Sequence, residues 1–241
     1  MSDPFSVNTV FFTVLGYPMS YIECFGTVLY LWSVWLIAQR NVLTWPVGIA
    51  SVLLYLVLFY QIRLYSDALE QVYYLGASAY GWWYWSRSRL ERHTLVDVSY
   101  GSGRALLGWV VATAALSAAL GWTMARAHLW MPALFPEPAS YPYLDALTTV
   151  MSLTAMWLMA RKHIESWLYW IVVDVIGIGL YFAKAIKFVA LLYVLLLALA
   201  IRGWIAWNRA GGRWASASER PDDRPNPVAS ALGEMPGPGG G

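Results

Sequence analysis

The chain has 241 residues, 59% of them hydrophobic and only 12% charged, with a net charge of +2 and a mean hydropathy of +0.50. Soluble domains carry about 25% charged residues, and a soluble chain of this length has no place for 15 Trp and 16 Tyr, whereas a bilayer holds them at its two interfaces and along an internal site. Composition therefore describes an integral membrane protein, excludes a nucleic-acid surface through the small net charge, and excludes an internal disulfide because Cys24 stands alone.

The first basic residue is Arg40, so no positively charged region precedes the early apolar run and no cleavable signal peptide is expected. Phe5 to Leu15 is apolar but too short to span, and reads as part of an interfacial segment over 1–19. Seven stretches then match the ~20 apolar residues that a helix needs to cross hydrocarbon. They lie at about 20–38, 44–61, 68–86, 104–124, 143–160, 167–184 and 187–207. Pro46 falls in the first turn of the second, where its missing N–H is harmless. The fourth is bland, mostly Ala, Leu and Val, and has no counterpart elsewhere in the chain.

The other six are two sets of three. At a spacing of 122 residues Tyr21 meets Tyr143, Glu23 meets Asp145, Thr27 meets Thr149 and Trp35-Leu36 meets Trp157-Leu158. The register continues through Ala38 and Ala160, Arg40 and Lys162, and Trp45 and Trp167. Gly81, Trp82 and Trp85 then fall opposite Gly203, Trp204 and Trp207. Tyr55 and Tyr181 align only with a short gap. Three spans leave the chain on the opposite side, so two repeats of the same orientation need one extra crossing. The expected fold is all-α: seven transmembrane helices as two parallel three-helix repeats (20–86 and 143–207), joined through 87–142 by a linker helix at about 104–124.

Lys and Arg give the orientation. Arg63, Arg126, Lys184 and Lys187 share the side of the N-terminus; the other twelve basic residues, from Arg40 to Arg224, share the opposite side. The N-terminus is expected outside and the C-terminus in the cytoplasm. From about residue 208 the chain turns to Gly, Ser, Pro, Arg and Asp, the composition of a disordered tail.

Polar groups within the spans are costly and mark functional positions. Glu23 and Asp145, duplicated at the outer ends of the first and fifth spans, either line a vestibule or pair with Arg63 and Arg126; Thr149 follows Asp145 by one turn. On the third span Gln71, Tyr74, Ser78, Trp82 and Trp85 share a helical face. Gln71 reads either as a ligand donor or as interhelical glue, and Trp85 as an interfacial anchor. On the sixth span Trp167, Trp170, Asp174, Tyr181 and Lys184 share a face. Trp167 and Lys184 suit the interface. Asp174, at mid-span, either lines a ligand site or bonds a neighbouring helix. Trp170 one turn before it and Tyr181 two turns after can stack a flat ring.

His93, His128 and His163 read as scattered loop residues without metal-ligand spacing, and no P-loop, nucleophile elbow or paired catalytic carboxylate is present. No cofactor, metal or enzymatic step is called for.

Several motifs carry a family resemblance. Asn41-Val42-Leu43-Thr44-Trp45-Pro46-Val47-Gly48, Leu64-Tyr65-Ser66-Asp67 with Gln71-Val72-Tyr73-Tyr74, and Tyr80-Gly81-Trp82-Trp83-Tyr84-Trp85 resemble the first half of PnuC-type vitamin transporters. Trp167-x-x-Trp170, Val173-Asp174, Leu180-Tyr181, Lys184, Leu192-Tyr193 and Gly203-Trp204 are similar to their second half. The resemblance covers about residues 18–207. It implies a SWEET-like fold in a bacterial inner membrane and uptake of nicotinamide riboside, an NAD precursor, by facilitated diffusion, with cytoplasmic phosphorylation trapping the substrate. Relatives carrying thiamine or riboflavin make those the alternative cargoes, and a vitamin sensor that moves nothing is the alternative of another class. The resemblance implies Trp167, Trp170 and Asp174 as the riboside-type pattern of the sixth span; together with the residue reading, the expected substrate residues are Trp170, Asp174, Tyr181, Gln71, Tyr74, Ser78, Trp167 and Thr149. The expected partners are the small vitamin and the lipid bilayer, with homo-oligomers left open.

Overall fold

The computed structural model describes residues 6–7, 9–14, 16–91, 97–132, 137–183 and 187–218. It contains two short strands, β1 (Val10–Val14) and β2 (Tyr17–Ser20), and seven helices. These are α1 (Tyr21–Ala38), α2 (Thr44–Gln61), α3 (Tyr65–Glu91), α4 (Gly103–Trp130), α5 (Pro142–Ala160), α6 (Ser166–Ala183) and α7 (Lys187–Ser218). Among the described residues, every helix but α3 has a stretch long and apolar enough to cross a membrane. α3 is long enough at 27 residues, but Asp67, Glu70 and Gln71 lower its apolarity.

Where an interfacial segment was expected, the chain folds into an antiparallel hairpin. Val14 pairs with Tyr17 and Thr13 with Pro18, and Gly16 takes the positive φ of 81° that the turn requires. The hairpin runs straight into α1, where the Ser20 side chain accepts from the Glu23 N–H and caps the first turn. Its Tyr17 ring stacks on Phe188 of α7 at 5.4 Å.

The ends of three helices stop in the same way. At α1, α2 and α5 the residue past the cap adopts a left-handed backbone: Arg40 (φ 59°), Arg63 (φ 62°) and Lys162 (φ 68°). In α1, Asn41 and Arg40 N–H groups donate back to Leu36 and Ile37; in α5, His163 and Lys162 donate to Leu158 and Met159. This pairing satisfies the last carbonyls of a helix and normally uses glycine. Here long cations take the position, at a cost of about 1 kcal/mol each, and place positive charge at a helix C-terminus, where the dipole favours it.

The core that positions everything else lies where the last turns of α1 and α5 and the C-terminal halves of α3 and α7 meet the first turns of α2 and α6. Trp45, Trp85, Trp167 and Trp207 are 2%, 0%, 1% and 0% exposed there. The Trp45 ring occupies the space a Cβ on Gly81 would need, and the Trp167 ring lies 2.5 Å from where a Cβ on Gly203 would stand. The rings then meet edge to face: Trp45 with Trp85, and Trp167 with Trp207. Trp85 Nε1 donates to the Ala160 carbonyl and Trp207 Nε1 to the Ile37 carbonyl, both at 3.0 Å. Trp85 and Trp167 are therefore core residues, which corrects their reading as interfacial anchors. Amphipathic anchors keep a wet edge; these indoles keep none.

Two boundaries also change. α4 runs six residues past its expected end at 124, carrying His128 in its last turn, so this histidine is helical and not in a loop. Ala125, Arg126, Ala127 and Leu129 favour helix, and no breaker occurs before Pro132. α7 continues to Ser218, past the expected start of the tail at 208. Gly211 lets it run against Ile164 and the Val98 carbonyl. The predicted tail beyond 218, together with Lys184, Arg92 and His93, lies outside the described residues.

Two glycine contacts make a direct test. Gly81→Ala and Gly203→Ala should each lower the melting temperature of the purified protein, because a methyl forced into an indole costs about 1–3 kcal/mol. Gly76→Ala and Gly108→Ala, where nothing lies within 4 Å, should leave it unchanged or raise it. Thermal melts of all four that fail to separate the pairs would refute the packing role.

Candidate functional site

Halfway along the bundle, between the tryptophan end and the hairpin end, six helices turn polar or aromatic side chains toward one another. α6 contributes Asp174, which is 3% exposed and nine residues into an 18-residue helix. Its carboxylate has no hydrogen-bond donor among the described residues. Such a group is among the most expensive to hold in a membrane. Three residues on, Gly177 lets α7 come close, and the Tyr193 ring lies 2.5 Å from where a Cβ would stand. Tyr193 in turn stacks on Tyr181 at 5.4 Å, with 21° between the rings.

From α1, Tyr30 stands within electrostatic range of Asp174, Tyr193, Tyr55 and Glu70, which gathers α1, α2, α3, α6 and α7 around one point. Tyr30 keeps some accessible surface, and its hydroxyl has no partner among the described residues. α3 contributes Tyr74, whose hydroxyl donates to Glu70 Oε1 at 2.7 Å and also meets the Ser152 side chain of α5. One residue earlier, Tyr73 donates to the Leu153 carbonyl at 2.8 Å. α3 and α5 are thus joined at the height of the site by two adjacent tyrosines. α4 contributes nothing to it; its Thr113 faces Thr154 and Tyr169 instead.

Toward the hairpin the site is bounded by a polar ladder on α1. Tyr17 donates to Glu23 at 2.7 Å, and one turn further Thr27 shares a 2.7 Å hydrogen bond with Tyr55. Burial, and then the Glu23 hydrogen bond, push the Tyr17 hydroxyl up to about 12, so it stays a donor across physiological pH. Glu23 is used inside the fold, while its register partner Asp145 is exposed. Neither forms an ion pair with Arg63 or Arg126 among the described residues.

Of the eight residues expected to bind substrate, the structure gathers Asp174, Tyr181 and Tyr74 in this cluster. Trp170, half-buried, stands one turn before Asp174 and packs against the core on both sides. Ser78 is buried one turn from Tyr74, and Gln71 and Thr149 are half-buried without a hydrogen bond to another described residue. Trp167 stands apart, in the tryptophan core against Gly203.

Sequence reading missed Tyr30, Tyr55, Glu70 and Tyr193. Glu70 had a signal: it stands four residues before Tyr74, on the same helical side, inside a predicted span. Tyr193 stood in the Leu192-Tyr193 motif and Tyr55 opposite Tyr181 in the gapped register; Tyr30 had no signal, because an aromatic ring in an apolar helix reads as packing until its neighbours are known.

Comparison with known proteins places the chain among carriers. The family described as "Nicotinamide mononucleotide transporter" matches residues 20–209. The nicotinamide riboside transporter PnuC of Escherichia coli strain K12 is 29% identical over 218 residues, 84% of this chain and 91% of that protein. The riboflavin/roseoflavin transporter RibM of Streptomyces davaonensis is also 29% identical, over 202 residues covering 83% and 91%. A crystal structure of the vitamin B3 transporter PnuC shares the fold, with a TM-score of 0.61 at 22% identity over 80% of this chain and 83% of that one.

Hydrogen bonding separates scaffold from site. Tyr55→Phe should destabilise the protein by about 0.6–1 kcal/mol through loss of the Thr27 bond. Tyr30→Phe, which breaks no bond within the protein, should leave the melting temperature unchanged and reduce uptake in cells. Equal melting shifts would contradict that division.

Proposed function

This chain belongs to the nicotinamide mononucleotide transporter family, multi-pass membrane carriers and not enzymes, and we propose that its cargo is nicotinamide riboside, taken up by facilitated diffusion. The observation that carries the reading is Asp174. It is a buried carboxylate at mid-helix with no protein partner among the described residues, flanked along α6 by Trp170 and Tyr181. Nicotinamide riboside is a flat cationic ring on a neutral sugar. The carboxylate offsets the ring's charge or accepts from ribose hydroxyls, the indole face attracts the cation, and Gln71, Tyr74, Ser78 and Thr149 supply hydroxyl and amide partners. Facilitated diffusion moves the riboside only down its gradient; phosphorylation in the cytoplasm is the step that keeps it inside.

The carrier is proposed to work as two parallel three-helix units, α1–α3 and α5–α7, joined by α4 and rocking about the site between them. The reading is supported by the 122-residue register, by the paired Trp–Gly contacts, and by the absence of α4 from the site. The N-terminus is proposed to lie outside and the C-terminus in the cytoplasm, on the distribution of Lys and Arg. The likeness to RibM makes riboflavin a second cargo to be tested, with thiamine, another aromatic cation, beside it.

Purified protein titrated with nicotinamide riboside, thiamine and riboflavin should bind the riboside most tightly; binding of thiamine or riboflavin alone would overturn the assignment. Counterflow of labelled riboside in proteoliposomes separates a carrier from a sensor, which gives none. Asp174→Asn should weaken riboside binding by about tenfold while the protein still folds and inserts. Trp170→Phe should cost riboside affinity at less loss of stability than Trp167→Ala, which should cost about 3 kcal/mol or more.

A further inference from the structure

We infer that Tyr17 and Phe188 are the outer gate of the carrier: the N-terminal hairpin latches α1–α3 to α5–α7 through their stacked rings, which must part before substrate enters from outside. The inference rests on the proposed two-unit carrier with its N-terminus outside, and it names the residues that close that side. The hairpin is anchored on the first set of helices. It runs directly into α1, where the Ser20 side chain accepts from the Glu23 N–H, and the Tyr17 hydroxyl donates to Glu23 Oε1 at 2.7 Å. Just before β1, the Val7 N–H donates to Gln61 Oε1 at the end of α2. The Phe11 ring lies 4.4 Å from Tyr21 and 6.5 Å from Phe25 of α1. The Tyr17 ring alone reaches the other set, lying on Phe188 in the first turn of α7, 5.4 Å away and within 6° of parallel, among the ring contacts of the described residues.

Contacts between the two sets change in kind along the bundle. At the tryptophan end the fully buried indoles of Trp85 and Trp207 donate to the Ala160 and Ile37 carbonyls. Separating the sets there breaks buried hydrogen bonds and opens a close-packed core. At the hairpin end the stack joins two half-buried rings. Parting them strands no polar group, because the Tyr17 hydroxyl keeps its bond to Glu23 on its own side. An aromatic pair biases an equilibrium by about 2- to 10-fold, enough to hold a gate and weak enough to release it. Val10, Phe11 and Phe12 of β1 stay exposed, so the hairpin has no core of its own to restrain it.

The latch stands between the outer end and the site. Inward of it on α1 come Glu23 and then Thr27, bonded to Tyr55. On α7, Tyr193 follows Phe188 by about one and a half turns, and its ring stacks on Tyr181 of the site. In the 122-residue register Tyr17 falls opposite Ala139 and Phe188 opposite Ser66. Neither ring has an aromatic counterpart, as suits a closure built once across a mouth that both sets border.

The test has two arms, both on the full-length protein in a Cys24→Ser background. In the first, Tyr17→Cys with Phe188→Cys is bridged by a short bis-methanethiosulfonate linker in proteoliposomes. Counterflow of labelled nicotinamide riboside should fall about tenfold or more and return on reduction, which also shows that the protein is folded. In the second, Thr27→Cys on the polar ladder reports access from outside through its rate of labelling in intact cells by a membrane-impermeant thiol reagent. Tyr17→Ala and Phe188→Ala should each raise that rate about 2- to 10-fold, whereas Tyr17→Phe and Phe188→Tyr, which keep the stack, should not. Unchanged counterflow in the bridged protein, alanine variants that label at the original rate, or a Tyr17→Phe protein that labels as fast as Tyr17→Ala overturns the gate. If the unbridged protein carries the riboside in those cases, the gate alone fails. If the unbridged protein gives no counterflow, the proposed cargo fails, and the labelling rates decide the gate separately.

Discussion

Two indole rings, each lying where a side chain would otherwise have to be, set the geometry on which the rest of this bundle depends. Between helices in lipid the hydrophobic effect contributes little, so close packing and hydrogen bonding must hold them. Trp45 on Gly81 fixes the approach of α2 to α3, and Trp167 on Gly203 fixes that of α6 to α7. The indoles of α3 and α7 then reach across to a backbone carbonyl in the other set of helices, Trp85 to Ala160 and Trp207 to Ile37. Those carbonyls belong to the last turns of α5 and α1; the Ile37 carbonyl already accepts from the Arg40 N–H, so the Trp207 bond is a second one. All four tryptophans fill volume, and Trp85 and Trp207 also bond backbone carbonyls.

Likeness between the two sets of helices is strongest at this end and fades toward the middle. The turn after α1 is Asn41-Val42-Leu43-Thr44, and Asn41 bonds the Leu43 N–H within its own turn. The matching turn after α5 is His163-Ile164-Glu165-Ser166, and there Glu165 is buried and accepts from the Gly101 N–H at 2.6 Å. Ser99 exchanges backbone bonds with Lys162 and Ile164 beside it, and Tyr100 bonds Asn208. The second set therefore carries an acid where the first carries Leu43, because the chain leading into α4 docks on one set only. The same logic holds at mid-height, where Asp174 and Glu70 stand opposite valine and leucine. If the two sets of helices act as repeats, as proposed, these departures from the register are where an asymmetric object, the chain into α4 or a ligand, meets them.

This explains what the amino-acid sequence made legible. Helices in lipid must be long and apolar, so six of the seven announce themselves by composition alone, and the register exposes Gly81 and Gly203 with their tryptophans. Asp174 was visible because no surface role exists for an acid at mid-span. Partnership was not visible. Trp85 and Trp167 resemble interface anchors in any composition-based reading, and only the glycine facing the ring shows that the space around it is closed. The hairpin was hidden because a short apolar run followed by a second one is equally an interfacial stretch; the turn at Gly16 decides it, and Tyr17, on Phe188 and Glu23, and Phe11, on Tyr21 and Phe25, dock it on the helices. The helical stretch of α7 past residue 208 depends in the same way on Gly211 and the chain it packs against.

Stability and function then divide by height. The tryptophan end is closed and aromatic, with Trp85 and Trp207 bonded to backbone carbonyls, while the indole N–H groups of Trp45, Trp167 and Trp204, His163 Nδ1 and Glu165 Oε2 are buried there without a hydrogen-bond partner among the described residues. The middle also leaves groups open. Asp174, the Tyr30 hydroxyl and Gln71 have no partner among the described residues. Uncompensated groups of this kind each cost free energy in the protein without ligand. A fold keeps such groups only where something else supplies the missing stability, and here the supply is structural: three helix ends locked by left-handed residues, and two glycine contacts that hold helix pairs at close range. Close packing at the tryptophan end holds the open bonding at the centre in place, and a ligand that completes that bonding binds with a free energy the protein alone lacks.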